Sequence, residues 1–416
     1  MVAKINSILV VGFNTRPLAK SLKLADYRVY TVDFFGDLDL YPYVKDYIII
    51  TKELESNYEF LKDQYGEFLV HFTIEMLRKH KNINYLLIGS GLDDNYDGRE
   101  FILKEIKEKE LKVQNVNNDL EIIKNARDIE NIYEYLKSKK FNVPISVSYK
   151  RFKGKNKIGI DFPFILKKKR SAGGLNVFKI ENNEKLSFLL KILKVKGFNP
   201  SDWLIQEFIE GIPVSCTIIS NGAECEIISI NRQIIGEKFL NPPGDFVYCG
   251  NIVPANLLKE DNKLISEISL ILTKILGLKG INGFDFVLKN HYPYLMEINP
   301  RIPGSIRASE EVLDLNLLDL HIQSFNPEKW EYVKNKIRSK QISGFATKLI
   351  FFAPKEIDKE LLKKVNNLES VHDKTEPIKN ILKEEPLCTV LFKGKNFSES
   401  YFGALKIIDK IKNIIY

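Results

Sequence analysis

Two acidic residues, Asp285 and Glu297, stand in neighbouring apolar stretches and are followed closely by Asn299 and Arg301. The stretches alternate apolar and polar residues and are separated by a polar turn at 289–292, which predicts a β-hairpin. Side chains two residues apart on a strand share a face, so the two carboxylates and the amide can converge. Oxygen ligands of this kind suit Mg²⁺, and Arg301 supplies a cation beside them.

The same alternation predicts which hairpin residues face the core. It places Phe284 and Phe286 on the face away from the carboxylates, and it places Leu295 on the face of Glu297 and Asn299. The alternative interpretation is that the acidic residues are merely solvated. The carboxylate, amide and guanidinium within residues 297–301, in an otherwise apolar region, favour a binding site.

A basic, glycine-containing loop follows another apolar stretch at 162–166. Lys167 ends that stretch, and Gly173 and Gly174 follow a few residues later, after Ser171. Glycines let backbone N–H groups approach phosphate oxygens closely, and the Lys167 ammonium would neutralise phosphate charge. The alternative is a flexible hairpin turn without a ligand.

These motifs resemble a known family. The segment Gly283–Leu288 with Met296–Ser305, together with the Lys167 loop, is similar to the ATP-grasp superfamily, which includes biotin carboxylase, carbamoyl phosphate synthetase and D-alanine–D-alanine ligase. The resemblance implies ATP and two Mg²⁺ ions, with Mn²⁺ as an alternative ion. It assigns Asp285, Glu297 and Asn299 to the metal and gives catalytic roles to Lys167 and Arg301.

The resemblance also implies a nucleotide site. Residues 203–211 are similar to the adenine hinge of the family, although the segment alone would be an ordinary strand. The residues expected to bind the nucleotide are Lys167, Ser171, Gly173, Gly174, Glu207, Phe208, Ile209 and Glu210. Glu207 is expected at the adenine edge, Phe208 and Ile209 through their main chain, and Glu210 at the ribose hydroxyls.

One position departs from the family pattern. Many ATP-grasp proteins carry an Asp-Lys pair in the helix that we predict over 119–140, and its lysine reaches the ATP phosphates. Here Asp128 is followed by Ile129. Either Lys124 or Lys150 substitutes, or the contact is missing.

The implied activity is an ATP-dependent ligase that joins a small carboxylate to an amine or a thiol through an acyl phosphate. Two other functions are weighed beside it. A nucleotide-binding sensor with degraded catalysis would account for the missing lysine. A nicotinamide-dependent oxidoreductase would need a cofactor at Gly12, but no Gly-x-Gly-x-x-Gly pattern stands there.

The elements that must position these residues begin with an alternation of strands and helices over residues 7–91, which predicts a doubly wound parallel sheet. Ligands bind at the carboxyl ends of such strands, where Asn14, Arg16, Asp33 and the segment 90–94 stand. This part resembles the domain that precedes the ATP-grasp fold in a branch described as predicted carboligases.

We therefore expect an α/β chain with α+β character in the ATP-grasp part. The expected units are a Rossmann-like domain at 1–110, an ATP-grasp domain at 111–335 with a flap lobe at about 145–212, and a small β-rich lobe at 336–416. The later segments predict a helix at about 310–323.

Composition limits the class of protein. The 416 residues are 44% hydrophobic with a net charge of +8, which is typical of a soluble chain. Neither a basic block with interleaved aromatics nor an apolar run of membrane-spanning length is visible, so neither nucleic acid nor membrane is expected as a partner. Four scattered cysteines and the lack of a signal-peptide pattern predict a cytoplasmic protein. Its expected partners are small-molecule substrates, and a homo-oligomer is compatible with the sequence.

Overall fold

The computed structural model describes residues 6–56, 58–151, 159–170, 173–376 and 380–416, and these form three sheets. Among these residues, the helices are all too short or too polar to cross a membrane. The prediction of an α/β chain with a parallel amino-terminal sheet, followed by a part with α+β character, is confirmed.

The first sheet is parallel and has the strand order β3-β2-β1-β4-β5. Its strands are β1 Ser7–Gly12, β2 Arg28–Asp33, β3 Asp46–Ile49, β4 Tyr85–Ile88 and β5 Gln114–Asn115. Its helices are α1 Arg16–Leu24, α2 Ile50–Glu53, α3 Tyr58–Leu61, α4 Tyr65–Lys79 and α5 Tyr96–Glu108. Every residue of β1 is buried, as expected for a strand covered by helices on both faces.

The second sheet has eight strands in the order β14-β13-β10-β11-β12-β15-β17-β16. The strands are β10 Ile212–Asn221, β11 Cys225–Ile235, β12 Tyr248–Val253, β13 Lys279–Lys289, β14 Tyr292–Asn299, β15 Phe345–Phe352, β16 Val371–His372 and β17 Pro386–Gly394. The paired strands of this sheet run antiparallel. Helix α9, Lys259–Leu276, packs on one face and ends at Gly277, which adopts the left-handed conformation that favours glycine.

The third sheet forms a small lobe of four strands in the order β6-β9-β7-β8. Its elements are β6 Ser146–Ser148, β7 Phe164–Lys168, β8 Val177–Ile180, helix α8 Asn183–Val195 and β9 Trp203–Glu207. A separate apolar core that includes Phe164, Leu186 and Trp203 holds this lobe together. The turn between β7 and β8 carries the glycines singled out in the sequence.

The last part of the chain continues the central sheet, because β15 pairs with β12. Helices α13, Lys359–Asn366, and α14, Phe397–Ile415, pack their apolar residues against this extension. Helix α12, Trp330–Arg338, precedes it. The division of the chain into three units stays a prediction, and the sheet runs across the boundary that we expected near residue 336.

Two helices expected to be continuous are each broken, and both predictions were wrong on that point. The helix expected over 119–140 is divided at Asp128 into α6, Leu120–Arg127, and α7, Ile129–Ser138. Asp128 leaves helical geometry and its side chain accepts a hydrogen bond from the backbone N–H of Asn131, so it begins α7. The later helix starts earlier than expected and is divided at the left-handed Asp314 into α10, Ile306–Leu313, and α11, Leu317–Gln323.

Candidate nucleotide and metal site

The three sheets surround one large cavity of about 1310 Å³. The structure brings most of the predicted site residues to its wall: Lys167, Gly173, Gly174, Glu207, Phe208, Ile209, Glu210, Asp285, Glu297, Asn299 and Arg301. Ser171 lies outside the described residues. Lys124 and Lys150, the alternatives to the missing family lysine, are not among the described residues that line the cavity.

The two predicted metal carboxylates face each other across the β13–β14 hairpin, because Asp285 is directly opposite Glu297 in the strand register. The Asn299 amide donates a hydrogen bond to Asp285 Oδ2 at 2.8 Å, and the Gln233 amide donates to Asp285 Oδ1 at 2.8 Å. Gln233, from β11, was not predicted from the sequence. The β13–β14 hairpin and the neighbouring strands therefore hold Asp285 in one orientation.

The prediction that Leu295 shares a face with Glu297 and Asn299 was wrong, because β14 contains a β-bulge. The register moves between Asp285 and Phe286, so that Phe286 pairs with Leu295. Leu295 is consequently fully buried in the core beside Phe284 and Phe286, and it does not lie on the carboxylate face as alternation predicted. Bulges insert one unpaired residue into a strand and redirect side chains, which lets the core and the site share one short strand.

Burial and like charge both act on Asp285. Burial, and then the negative charge of Glu297, raise the pKa of Asp285 to about 7, although hydrogen bonds from Asn299 and Gln233 and the charge of Arg301 oppose the shift. Two like charges opposite each other on paired strands destabilise the sheet. A cation between them would remove that repulsion.

Lys167 extends from β7 toward the same carboxylates. Its Nζ lies 3.5 Å from the carbonyl oxygen of Met296, one residue before Glu297. Burial lowers the pKa of Lys167 to about 8; the Glu297 carboxylate opposes this shift and the Arg127 guanidinium adds to it. The described contacts thus leave the ammonium one carbonyl partner, at the outer limit of hydrogen-bond length, and free capacity for an anion.

Arg127 is a site residue that sequence reasoning missed. Its side chain is 6% exposed, lines the cavity, pairs with Asp94 Oδ2 at 2.8 Å and donates a hydrogen bond to Glu297. The helix break at Asp128 places Arg127 at the last position of α6. A buried guanidinium therefore stands next to the position where the family pattern led us to look for a lysine.

Arg301 links the hairpin to the amino-terminal sheet. Its Nε donates a hydrogen bond to Asp93, and its Nη1 donates to the Ile302 carbonyl at 3.1 Å. Burial would raise the pKa of Asp93, but the guanidinium groups of Arg301 and Arg127 outweigh that effect and lower it. Asp93 and Asp94, predicted only as polar residues at a strand end, thus anchor both cavity-lining arginines.

The glycine turn of the small lobe touches the loop before β12. A Cβ atom placed on Gly174 would lie 1.9 Å from the carbonyl oxygen of Phe246, whereas one placed on Gly173 would meet nothing within 4 Å. Both glycines have positive φ, at +69° and +77°. The absence of a side chain at 174 therefore allows the two loops to meet over the cavity.

The expected adenine hinge lies at the end of β9. Glu207 exchanges hydrogen bonds with Ile145: its backbone N–H donates to the Ile145 carbonyl at 2.8 Å, and its carboxylate accepts from the Ile145 N–H at 3.1 Å. Lys179 Nζ stands 4.3 Å from the centre of the Phe208 ring, a cation–π contact. Ile209 is buried and Glu210 is exposed.

Asp33, at the end of β2, serves the fold. Its carboxylate accepts hydrogen bonds from the Thr15 N–H and the Gly36 N–H, both at 2.6 Å, and from the Thr15 hydroxyl at 2.8 Å. In dinucleotide-binding folds an acidic residue at the equivalent strand end binds the ribose. Here that capacity is used by the protein's own turns, which disfavours the nicotinamide hypothesis.

The donor set fits Mg²⁺ when a nucleotide completes it. Among the described residues no three His, Cys, Asp or Glu side chains gather as a metal cluster. Magnesium commonly binds proteins through one or two carboxylates and takes its remaining ligands from phosphate oxygens and water. Asp285 and Glu297, with the oxygen of Asn299, would provide such a partial shell beside the cavity.

Comparisons with known proteins agree with this geometry. A family model described as an ATP-grasp domain matches residues 126–305. An uncharacterized protein of Methanocaldococcus jannaschii is 27% identical over 389 residues, which cover 92% of this chain and 88% of that protein. A D-alanine–D-alanine ligase of Flavobacterium psychrophilum is 26% identical over 172 residues, which cover 40% of this chain and 51% of that enzyme.

Among solved structures, an L-amino acid ligase from Bacillus licheniformis superposes with a TM-score of 0.67 at 16% identity, and the match covers 98% of each chain. At that identity the likeness shows a shared fold over nearly the whole chain. The comparisons confirm the resemblance to the ATP-grasp superfamily that the sequence motifs indicated.

Proposed function

We propose that this chain, whose residues 126–305 form an ATP-grasp domain, is an ATP-dependent ligase that joins a small carboxylate to an amine through an acyl phosphate. The observation that carries the proposal is the pairing of Asp285 with Glu297 in register on the wall of a cavity that Lys167, Arg127 and Arg301 also line. Carboxylates that can hold metal ions, with cations beside them, suit phosphoryl transfer from ATP.

The nucleotide would lie with its base at the β9 end and its phosphates toward the carboxylates. Glu207, Phe208 and Ile209 would meet adenine, Glu210 the ribose, and Lys167 the phosphates. The backbone N–H groups of Gly173 and Gly174 would cover the phosphate chain. Closure of this turn on Phe246 would exclude water, which protects reactive intermediates from hydrolysis.

Two Mg²⁺ ions, or Mn²⁺ in their place, would be held by Asp285, Glu297 and Asn299. When bound, the ions neutralise charge on the phosphate oxygens during phosphoryl transfer. The cations of the chain act beside them: Lys167 holds the phosphates, and Arg301 orients the substrate carboxylate. Arg127 keeps Glu297 in place through their ion pair.

The reaction would proceed in two displacements. A carboxylate oxygen of the first substrate attacks the γ-phosphorus, the bond to the β-phosphate oxygen breaks, and ADP leaves. The lone pair of the amine then attacks the carbonyl carbon of the acyl phosphate, phosphate departs with its bridging oxygen, and the amine nitrogen loses a proton. A thiol could serve as the nucleophile in the same way.

The named activities of similar proteins support ligation. The proteins that share this fold or sequence include a D-alanine–D-alanine ligase and an L-amino acid ligase. The matched segment spans about half of the former enzyme. The choice of substrates therefore has to come from this chain's own cavity.

A screen of carboxylates with amines and thiols, measuring release of ADP and phosphate, tests the proposal. Added hydroxylamine should trap the acyl phosphate as a hydroxamate. We expect Glu297→Gln to lower turnover by about a hundredfold or more, since it removes a carboxylate that would hold the metal ions, and those ions would neutralise charge on the transferring phosphoryl group.

Glu267→Gln, at an exposed position of α9, is the matched control and should keep full turnover. Full activity in Glu297→Gln would refute the metal assignment. Nucleotide binding without turnover across the whole panel would instead favour a second function, an ATP-binding sensor. The ion pair that already holds Glu297 to Arg127 is the observation that keeps this alternative open.

A further inference from the structure

The cavity has a second region, away from the carboxylate pair, between the carboxyl edge of the parallel sheet and the last strands of the central sheet. Two hydrogen bonds close this junction: the Leu38 N–H donates to the Lys374 carbonyl at 2.7 Å, and the Asp39 carboxylate accepts from the Lys374 N–H at 2.9 Å. The carboxylates that line it are Asp37, Glu55, Asp373, Glu376 and Glu385, and the ammonium groups are Lys52 and Lys348.

The cations of this region already have partners. Arg16, which is 5% exposed, binds Asp373 Oδ1 through Nη2 at 2.6 Å and approaches Asp39 at 3.5 Å. Lys52 is paired with Glu376. Lys348 donates to the Gly304 carbonyl at 3.1 Å, and burial lowers its pKa. An anionic substrate would have to displace these contacts to bind here.

Asp37 differs from the other buried aspartates of this region in its contacts. Its side chain lines the cavity although the residue is only 6% exposed. Within the part of the chain that the structure describes, its carboxylate accepts no hydrogen bond and joins no ion pair, whereas the neighbouring Asp33, Asp39 and Asp373 all have partners. A buried carboxylate without a partner costs free energy, and a bound cation would recover it.

We propose that Asp37 binds an ammonium group of the nucleophile substrate, so that the substrate is a diamine or an amino acid with a basic side chain. One amine would face the acyl phosphate while the second, protonated amine pairs with Asp37. This inference rests on the proposed ligase function, because it places the cation in the cavity that the nucleotide would share. Burial, followed by the charges of Asp373, Asp33 and Asp39, raises the pKa of Asp37 well above its usual range, although the charge of Arg16, which is paired with Asp373, opposes the shift.

Calorimetric titrations with two isosteric probes test the inference on the full chain. The probes are 1,4-diaminobutane and 1-aminobutane, each added to protein saturated with Mg²⁺ and adenylyl imidodiphosphate. We expect the diamine to bind about tenfold more tightly or better, because only it can place a charged amine against a buried carboxylate. Asp37→Asn should abolish that preference and leave nucleotide binding unchanged.

Two further variants keep the result unambiguous. Asp409→Asn removes the same charge from an exposed position of α14 and should retain the preference. Asp37→Glu keeps the charge and should retain part of it. Equal affinity for the two probes, no binding of either, or a preference that survives in Asp37→Asn overturns the inference. Failure to bind the nucleotide analogue would instead refute the proposed ligase.

Discussion

Without a cation in the candidate metal site, the negative charge of Glu297 repels the charged form of Asp285. Its folded pKa is about 7, against an ordinary value of 3.8. The folded protein therefore holds the proton more tightly than the unfolded chain does. The stability that this proton contributes is fully present below about pH 4 and is lost as the pH rises toward 7.

Asp285→Asn should remove the loss of stability that occurs as the pH rises, because asparagine does not ionise. We expect the variant to match the wild type near pH 4 and to be more stable by about 1–3 kcal/mol at pH 8, a range that allows for solvent in the cavity. Denaturant unfolding at both pH values, without metal or nucleotide, measures the difference. Asp63→Asn, at an exposed carboxylate, is the control. Equal stability of Asp285→Asn and wild type at pH 8 would contradict the inference that ionised Asp285 destabilises the folded protein.

Some residues of the candidate site were predictable from the sequence and others were not. Apolar and polar residues alternate in β13 and β14, and β7 begins with an apolar stretch, so the shared position of the site residues on these strands was predictable; these residues are Lys167, Asp285, Glu297 and Asn299. Arg127 was not, because its role depends on a helix that ends at Asp128 and on partners 33 and 170 residues away. A charged residue before a capping Asp was the one local signal available.

At the scale of elements, the glycine turn between β7 and β8 offers a matched pair of positions. Gly173 and Gly174 have nearly the same positive φ, so an alanine at either should cost about 1 kcal/mol of backbone strain. Only at 174 would the added methyl group collide with the Phe246 backbone. The difference between the two variants therefore isolates the contact of the flap with the loop.

We expect Gly174→Ala to weaken binding of a nucleotide analogue by about tenfold or more relative to Gly173→Ala, since the displaced turn can no longer cover the phosphates. Titration of each variant with adenylyl imidodiphosphate and Mg²⁺ measures this. Circular dichroism should show both variants folded. Equal affinities would mean that the flap does not need the Phe246 contact.

Helices and strands were predictable where a local sequence pattern determines their type and ends. Apolar runs and βα alternation gave the parallel sheet, and Gly277 gave the end of α9. The errors arose where tertiary packing decides. The bulge that buries Leu295 leaves no trace in alternation, and the breaks at Asp128 and Asp314 interrupt apolar periods that look continuous.

For the whole molecule, a buried ion pair helps to connect the two ends of the chain. Arg16 in α1 and Asp373 after β16 are 357 residues apart in sequence, yet they form a buried contact on which Asp39 also converges. No local pattern could predict such a pairing. Asn14, Asp37 and Asp373 line the cavity, so both ends of the chain contribute to its wall.

Removing Arg16 should destabilise this part of the cavity wall and leave Asp285 and Glu297 unaffected. We expect Arg16→Met to lower the free energy of unfolding by about 3 kcal/mol or more, because it leaves buried Asp373 without its main counter-charge. Hydrogen exchange should then rise in residues 371–376 and 37–40, while affinity for the nucleotide analogue stays near that of the wild type. Arg28→Met, at an exposed position at the start of β2, is the control for loss of one positive charge. A uniform rise in exchange across the central sheet would show instead that Arg16 supports the whole fold. Unchanged exchange at both segments would show that the other contacts between the two ends, among them the Lys52–Glu376 ion pair and the Leu38–Lys374 backbone hydrogen bond, suffice to hold them together.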